Sequence, residues 1–490
     1  MKKLLILLCS IFGFVSISIA QARLDTNVFI FSRLLPVSPT QVVTVQQNWS
    51  STGAPLQLYF QSISNVSPNK AEKLVSLKMG PFKAQVKDIF IWNGALNLLT
   101  SVYYPGPGRS NFLLQQFDPK TLMEKHSQLI DAVATPRPSS DSPYLGYCIS
   151  PDSSHIGFYS WIYAYSEDSV RLNVQVYNRS LEKQWSKQYT LPYLNNRFLI
   201  NNCALRNNGE FFLFAENYTG RIGAATVIKT NLIEHMAVQL RKDLDTARVL
   251  RTQLAKGAHF SSLKFGLASD ETLYGIGIWQ VPRFTVETGL YILKMPLGAA
   301  TYTQNIEEFP KALYQNAERL TRQDSVLGKH YTPTGFFNYN IYKLYFQATG
   351  QMYLLAASGD DNMLIRFDDQ AKAKYISIIP RLRYSFLDKI YDANLFIKGD
   401  SAYFLQTQIE DIFGSPYKLI RIGEKGELIH SLVQSRITGR RPQFMLNAYY
   451  CEQIDDRRII LTATDNQIPY DAPRTLTFRI EEINQVFKDN

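Results

Sequence analysis

Cysteine is scarce: four residues in a chain of 490. Cys9 falls in an N-terminal apolar run, which leaves Cys148, Cys203 and Cys451 to the body of the chain. An odd number leaves at least one thiol unpaired, so this is no small fold stapled by disulfides, and stability must come from an ordinary hydrophobic core. Charge is sparse too. With 19% charged against 45% hydrophobic residues, an intrinsically disordered chain is excluded. Glycine (26) and proline (22) stay near average usage, which removes collagen-like and linker-rich readings. Past the N-terminus no run approaches the roughly 18 to 20 apolar residues of a membrane helix, so no integral segment is expected in the mature chain. The six histidines (126, 155, 235, 259, 330 and 430) show no metal-ligand spacing and none sits in a nucleophile motif. Asp360-Asp361-Asn362 lacks the later Gly and Glu of a calcium loop and reads as a β-turn. Gly275-Ile276-Gly277 sits in a strand pattern with no helix after it, which defeats a dinucleotide loop. No metal and no cofactor is expected.

What is present begins with a leader. Met1-Lys2-Lys3, the apolar run Leu4 to Val15 and the small residues Ser16, Ser18, Ala20 and Ala22 form a charged n-region, an h-region too short to span a bilayer, and a cleavage site. Ala20-Gln21-Ala22 favours cleavage after Ala22, and Ser18-Ile19-Ala20 competes. Residues 1–22 are read as a signal peptide and the protein as exported, to the periplasm, the cell surface or the medium. Loss of Lys2 and Lys3 lowers the net charge from +10 to +8, with no basic tract. Arg440-Arg441 and Arg457-Arg458 read as solvated turn charges, so nucleic acid is not an expected partner. Weak attraction to acidic glycans stays open. Asn48, Asn65, Asn178 and Asn217 fit the N-glycosylation pattern, which is common by chance.

Aromatics are abundant, 29 Tyr and 29 Phe, and favour strands. One pattern recurs: an apolar strand, a polar turn, a second apolar strand and an alternating third. Its turns are anchored at Asn93, Asp152, Asn208, Asp270, Gly350, Asp400 and Asp456, spaced by 59, 56, 62, 80, 50 and 56 residues. Third strands follow at Arg171 to Tyr177, Gly289 to Lys294, Met363 to Phe367 and Lys418 to Ile422. A weaker eighth unit precedes these, with strands at Gln41 to Val45, Leu56 to Ser62 and Lys73 to Met79. Small antiparallel meanders leave edges and faces exposed, and radial repetition covers both. The fold class is therefore all-β: one β-propeller domain over residues 23–490, of seven or eight four-stranded antiparallel blades. Val28 to Phe31 is expected to close the last blade. Ile306 to Gln323, with Phe309, Leu313, Ala317 and Leu320 near helical spacing, is expected as an inserted helix.

Ser150-Pro151-Asp152-Ser153 resembles the Ser-Pro-Asp-Gly turn of TolB-like and WD40-like propeller repeats, with Ser153 where that family has Gly. The other repeats keep only a polar turn, and no Trp-Asp dipeptide occurs. The resemblance implies the architecture, with the first strand of each repeat innermost around a channel, and carries no activity.

Cys148, Cys203 and Cys451 occupy one place in their repeats, four or five residues before the turn anchor. Buried thiols are the favoured reading, with a Cys148–Cys203 disulfide and a metal site as alternatives. Cys148 and Cys203 are expected to be neighbours and Cys451 remote. Tyr159, Trp161, Tyr163 and Tyr165 alternate onto one strand face, where they fill the wedge between blades or stack on sugar rings. Polar residues recur at the first strands: Asp88, Asn202, Lys264, Asn340, Lys343, Asp392, Asn394, Asn447 and Glu452. Of these, Asn202, Lys264, Asn340, Asp392 and Asn447 are the candidate ligand-binding residues, and no catalytic residue is assigned. The leading reading is a non-catalytic exported propeller that binds a protein or glycan partner at its channel face. The alternative is an exported polysaccharide hydrolase or lyase with carboxylates at the channel mouth.

Overall fold

A computed structural model describes residues 29 to 479 apart from 39–40, 50–54, 65–70, 136–141, 164–167, 220–231, 255–257, 282–287, 310–338, 348, 358–360, 381–392, 408–416, 434–443, 447–451, 454–457 and 466–473. The described residues form eight antiparallel sheets in succession, almost all as meanders in which each strand pairs with the next in sequence. Blade 1 spans Phe29 to Ser76, blade 2 Lys78 to Ala134, blade 3 Ser142 to Leu194 and blade 4 Phe198 to Arg251. Blade 5 spans His259 to Glu308, blade 6 Asn340 to Pro380, blade 7 Ala393 to Val433 and blade 8 Phe444 to Arg479. The expected third strands all pair as third strands. The protein has the blade architecture of a β-propeller.

Two expectations are corrected. Phe29–Ser38 pairs with Gln41–Trp49 as the first strand of blade 1, so this segment heads its own blade and does not close the last one. Its alternation was legible, but pairing with the adjacent strand needs only a short connection and wins over a distant edge. The expected helix starts on strand: Thr303–Glu308 pairs with Thr288–Met295 as the outer strand of blade 5. Residues 310–323 lie outside the described residues, as does residue 28.

The turns explain why the strands stop where they do. Asn93 and Gly94 adopt φ of 51° and 66° between the paired Trp92 and Ala95, the left-handed conformation of a two-residue hairpin turn that Asn-Gly tolerates. At the third-to-fourth turns a single acceptor does the work. Asp118 Oδ1 accepts from the backbone N–H of Lys120 and Thr121, Asn178 Oδ1 from Ser180 and Glu182, and Asp368 Oδ1 from Gln370 and Lys372. Asp and Asn supply such turns because their short side chains replace a backbone acceptor.

The chain groups into two compact units: blades 1, 2, 8 and most of blade 7 in one, and residues 135–388 with 422–428 in the other. In the second unit the first strands of blades 3, 4, 5 and 6 lie side by side in sequence order. Alternating residues of each blade fill the seams on either side. Trp161, Leu172, Val174, Trp185, Phe211, Leu213 and Met236 fill the seam of blades 3 and 4. Phe212, Phe214, Ala237, Phe265, Tyr291 and Leu293 fill that of blades 4 and 5. Bare glycine backbone lets the blades approach: a Cβ at Gly157 would lie 2.5 Å from the Phe211 ring of the next blade, and one at Gly266 2.6 Å from Phe346.

Candidate functional site

Each blade has two rims. The turn rim carries the first-to-second and third-to-fourth turns. The loop rim carries the second-to-third connections and the links from blade to blade.

The turn rim of the second unit is stitched across blades. Ser150 Oγ donates to Asp152 Oδ1 at 2.7 Å, and that oxygen also accepts the Ser154 N–H at 2.8 Å. Ser153 supplies the left-handed residue (φ 58°) that Gly would supply in the resembling turns. The Asp152 N–H donates to Asn207 Oδ1 of blade 4 at 3.1 Å, and the Asn207 N–H to Glu271 Oε2 of blade 5 at 2.6 Å. Beneath them Arg206, 1% exposed, pairs with Glu210 at 2.5 Å and donates to the carbonyls of Glu271, Met295 and Pro296 at 3.0, 2.9 and 3.2 Å. Gln239 donates to Glu210 from the far side. A buried ion pair is retained only where its remaining hydrogen-bonding positions are met, as they are here. These residues hold blades together and offer no open group to a ligand.

The loop rim and the adjoining halves of the first strands differ. First strands in five described blades carry a β-bulge, between Phe31 and Arg33, Val86 and Asp88, Ile200 and Asn202, Phe260 and Ser262, and Ile341 and Lys343. A bulge leaves one residue without a cross-strand partner and re-aims its neighbours. Asp88 and Asn202 use the bulge alike: each side-chain oxygen accepts the next backbone N–H, of Ile89 and of Cys203, both at 2.8 Å. Asp88 is also ion-paired with Arg33.

Of the five candidate ligand residues, Asn202 and Asn340 are exposed and Lys264 is half-buried, on the first strands of blades 4, 6 and 5. Lys343, exposed in the bulge of blade 6, holds its Nζ 4.7 Å from the Tyr345 ring centroid. Asp392 and Asn447 lie outside the described residues, as do Cys451 and Tyr165 and the side chains of Tyr163, Asn394 and Glu452.

Sequence reading missed two features of this rim. Tyr144, at the start of the first strand of blade 3, is 44% exposed and rests on Trp161 with ring centroids 4.7 Å apart. Trp161 and Tyr159 are themselves buried in the wedge, so the aromatic row is mainly structural and its exposed tip is Tyr144. The second feature is a polar cluster on blade 4. Glu216 Oε1 lies 3.2 Å from His235 Nδ1, and Tyr218 donates to the other carboxylate oxygen. Burial pushes the Glu216 carboxyl up, but donation from His235, Tyr218 and the bulged Asn201 outweighs it and holds the group below its ordinary range. His235 packs edge-on against Phe260 of blade 5 at 5.2 Å, and its Nε2 is buried without a partner. The spacing of Glu216 and Tyr218 by two residues was a usable signal, since a strand sends both to one face. Their pairing with His235 across the second-to-third connection was not.

The described residues of the second unit thus offer the amides of Asn202 and Asn340, the lysines Lys264 and Lys343 and the exposed ring of Tyr144 on this side. Among the described residues no three His, Cys, Asp or Glu side chains converge as a metal site, and no helix is long and apolar enough to cross a membrane.

No family model matches the sequence, and no curated protein matches it. Solved structures do. The β-propeller domain of the Trilobed protease from Pyrococcus furiosus aligns over 84% of this chain and 98% of its own at 9% identity and a TM-score of 0.38. The Dos1 propeller aligns over 88% and 93% at 10% identity and 0.43. The polysaccharide lyase Uly1 aligns over 82% and 88% at 8% identity and 0.35. Likeness at this level concerns fold alone, and what the comparisons leave is an all-β chain of propeller blades.

Proposed function

We propose that the protein is exported and binds a protein or glycan partner, without chemistry, on the loop-rim face of blades 3 to 6. One observation carries the reading: Tyr144, Asn202 and Asn340 stand exposed on first strands that lie side by side. A flat aromatic ring supplies contact area, and amides supply donors and acceptors that orient a polar ligand. The described carboxylates near first strands are already engaged by neighbouring groups. Glu216 accepts from His235, Tyr218 and Asn201, and Asp88 from Arg33 and the Ile89 N–H. A glycosidase acid must keep a proton near neutrality, whereas the Glu216 carboxyl is held below its ordinary range by the groups that donate to it.

The test is capture. Purified mature protein is screened against an oligosaccharide array and envelope proteins, and the ligand captured is then titrated with Asn202→Ala/Lys264→Ala/Asn340→Ala. The expected result is loss of capture by a protein that melts only a few degrees lower and stays folded at the assay temperature. Capture indifferent to the triple variant overturns the face. Turnover of a polysaccharide, abolished by Asp88→Asn, Asp392→Asn or Glu452→Gln, overturns the non-catalytic reading in favour of the hydrolase or lyase.

A further inference from the structure

Cys148 and Cys203 are free thiols on the first strands of two adjacent blades. Cys148 lies one residue and Cys203 two residues before the end of its strand, so the strands, lying side by side, bring them to nearly the same level. Cys148 packs against the apolar cluster that contains Cys203, close enough for each thiol to feel the other's charge. Opposite Cys148 in the ladder is Gly157, whose missing side chain admits Phe211 of blade 4 and draws the blades together at this level. Cys148 is half-buried and Cys203 buried, so only the first presents an edge to solvent.

We infer that Cys148 and Cys203 are a dithiol modification site that a small-molecule disulfide closes to a disulfide bond across the seam of blades 3 and 4. The Cys148 thiolate attacks one sulfur of the oxidant RSSR, its S–S bond breaks, and RS⁻ leaves and takes up a proton. The Cys203 thiolate then attacks Cys148 Sγ of the mixed disulfide, forms the Cys148–Cys203 bond and expels the second RS⁻, which is protonated in turn. Two cysteine sulfurs are oxidised, RSSR is reduced to two RSH, and the two cysteine protons end on them. Burial and the contact with Cys203 hold the Cys148 thiol well above its ordinary range, and the aromatic neighbours Tyr159 and Tyr144 add no positive charge, so exchange is slow at neutral pH. Once formed, the bond closes a loop of about 55 residues and restricts the unfolded chain.

The full chain, purified without reductant, is incubated with oxidised glutathione, alkylated with N-ethylmaleimide and digested without reduction. Mass spectrometry should then find a Cys148–Cys203 linked peptide that dithiothreitol removes, with Cys451 alkylated. The oxidised protein should melt at least several degrees above the reduced protein, reversibly. Cys148→Ser should lose both the linked peptide and the oxidation-dependent shift. If that variant fails to fold, the wild-type comparison of oxidised and reduced protein decides alone. Separate alkylation of Cys148 and Cys203 after oxidation overturns the inference, as does a link to Cys451 or a glutathione adduct at Cys148 that never resolves.

Discussion

The seam between blades 3 and 4 and the seam between blades 4 and 5 use the two faces of one sheet, yet they are filled by different chemistry. Odd and even residues of blade 4 part company: Leu205, Phe211, Leu213, Met236 and Val238 meet blade 3, while Phe212, Phe214 and Ala237 meet blade 5. Toward blade 3 the buried contact is apolar, edged by Trp185 donating to the Gly209 carbonyl, Tyr189 to that of Arg241 and Tyr193 to Glu234, with a cross-seam ion pair, Lys187 with Asp245, open to solvent. Toward blade 5 an apolar middle is bounded at both ends by ionisable groups, Arg206 with Glu210 at the turn rim and Glu216 with His235 at the loop rim. An apolar seam gains from area and is indifferent to small shifts. A seam ended by charged pairs fixes the blades at defined points, because misplacing either end strands a buried charge.

The largest expected effect breaks the polar seam. Glu210→Ala leaves the Arg206 guanidinium buried without its anion and should cost about 3 to 5 kcal/mol in chemical denaturation followed by tryptophan fluorescence. Arg206→Met/Glu210→Met should recover only part of this, because the Glu271, Met295 and Pro296 carbonyls lose their donor. A cost below about 1 kcal/mol for the single variant would show the pair to be hydrated rather than dry.

In the apolar seam, Phe211→Ala should also cost about 3 to 5 kcal/mol through the cavity it leaves. Gly157→Ala should cost about 1 to 3 kcal/mol by overpacking against Phe211. The two changes should couple: in the double variant the added methyl enters the vacated space, so the combined cost falls below the sum. Additive costs would place Gly157 and Phe211 apart.

A smaller effect separates the seams by pH. The Glu216 carboxyl is depressed in the folded chain, so its contribution is present above the unfolded carboxylate pKa and is lost as pH falls through the folded value. Glu216→Gln should therefore flatten the acid limb of the stability profile between neutrality and pH ~3. Cys203→Ala, in the apolar seam, should leave that limb unchanged. A Glu216→Gln profile parallel to wild type would remove the loop-rim pair from the account.

The smallest effects lie on the exposed strands. Asn202→Ala gives up the acceptor of the Cys203 N–H and should cost about 0.5 to 1.5 kcal/mol, whereas Asn202→Asp keeps it, as Asp88 does in blade 2. Asn340→Ala should stay within about 0.5 kcal/mol. Thermal melts compared at one pH check both values.

The repeat itself was legible because strand alternation and turn chemistry are local. Asn93-Gly94, Ser150 to Ser153 and Asn178 stop and reverse the chain through their own side chains and backbone preferences. The blade to which Phe29–Ser38 belongs was not legible, since alternation fixes a strand's faces and leaves its partner open. Ile306 to Glu308 likewise fits either period over so few residues, and pairing with Thr288–Met295 decided for strand.

The sequence by itself determined the all-β class, the repeating blade, the turn positions and the level placement of Cys148 with Cys203, because each follows from a spacing counted along the chain. Tertiary structure alone decided which polar residues are spent and which remain open. The charged Arg206 and Glu210 are buried, while the neutral Asn202 and Asn340 stay exposed. The physical reason is that burial and partnership of a side chain depend on the blade packed against it, and neighbouring blades meet through residues some 50 to 90 positions apart.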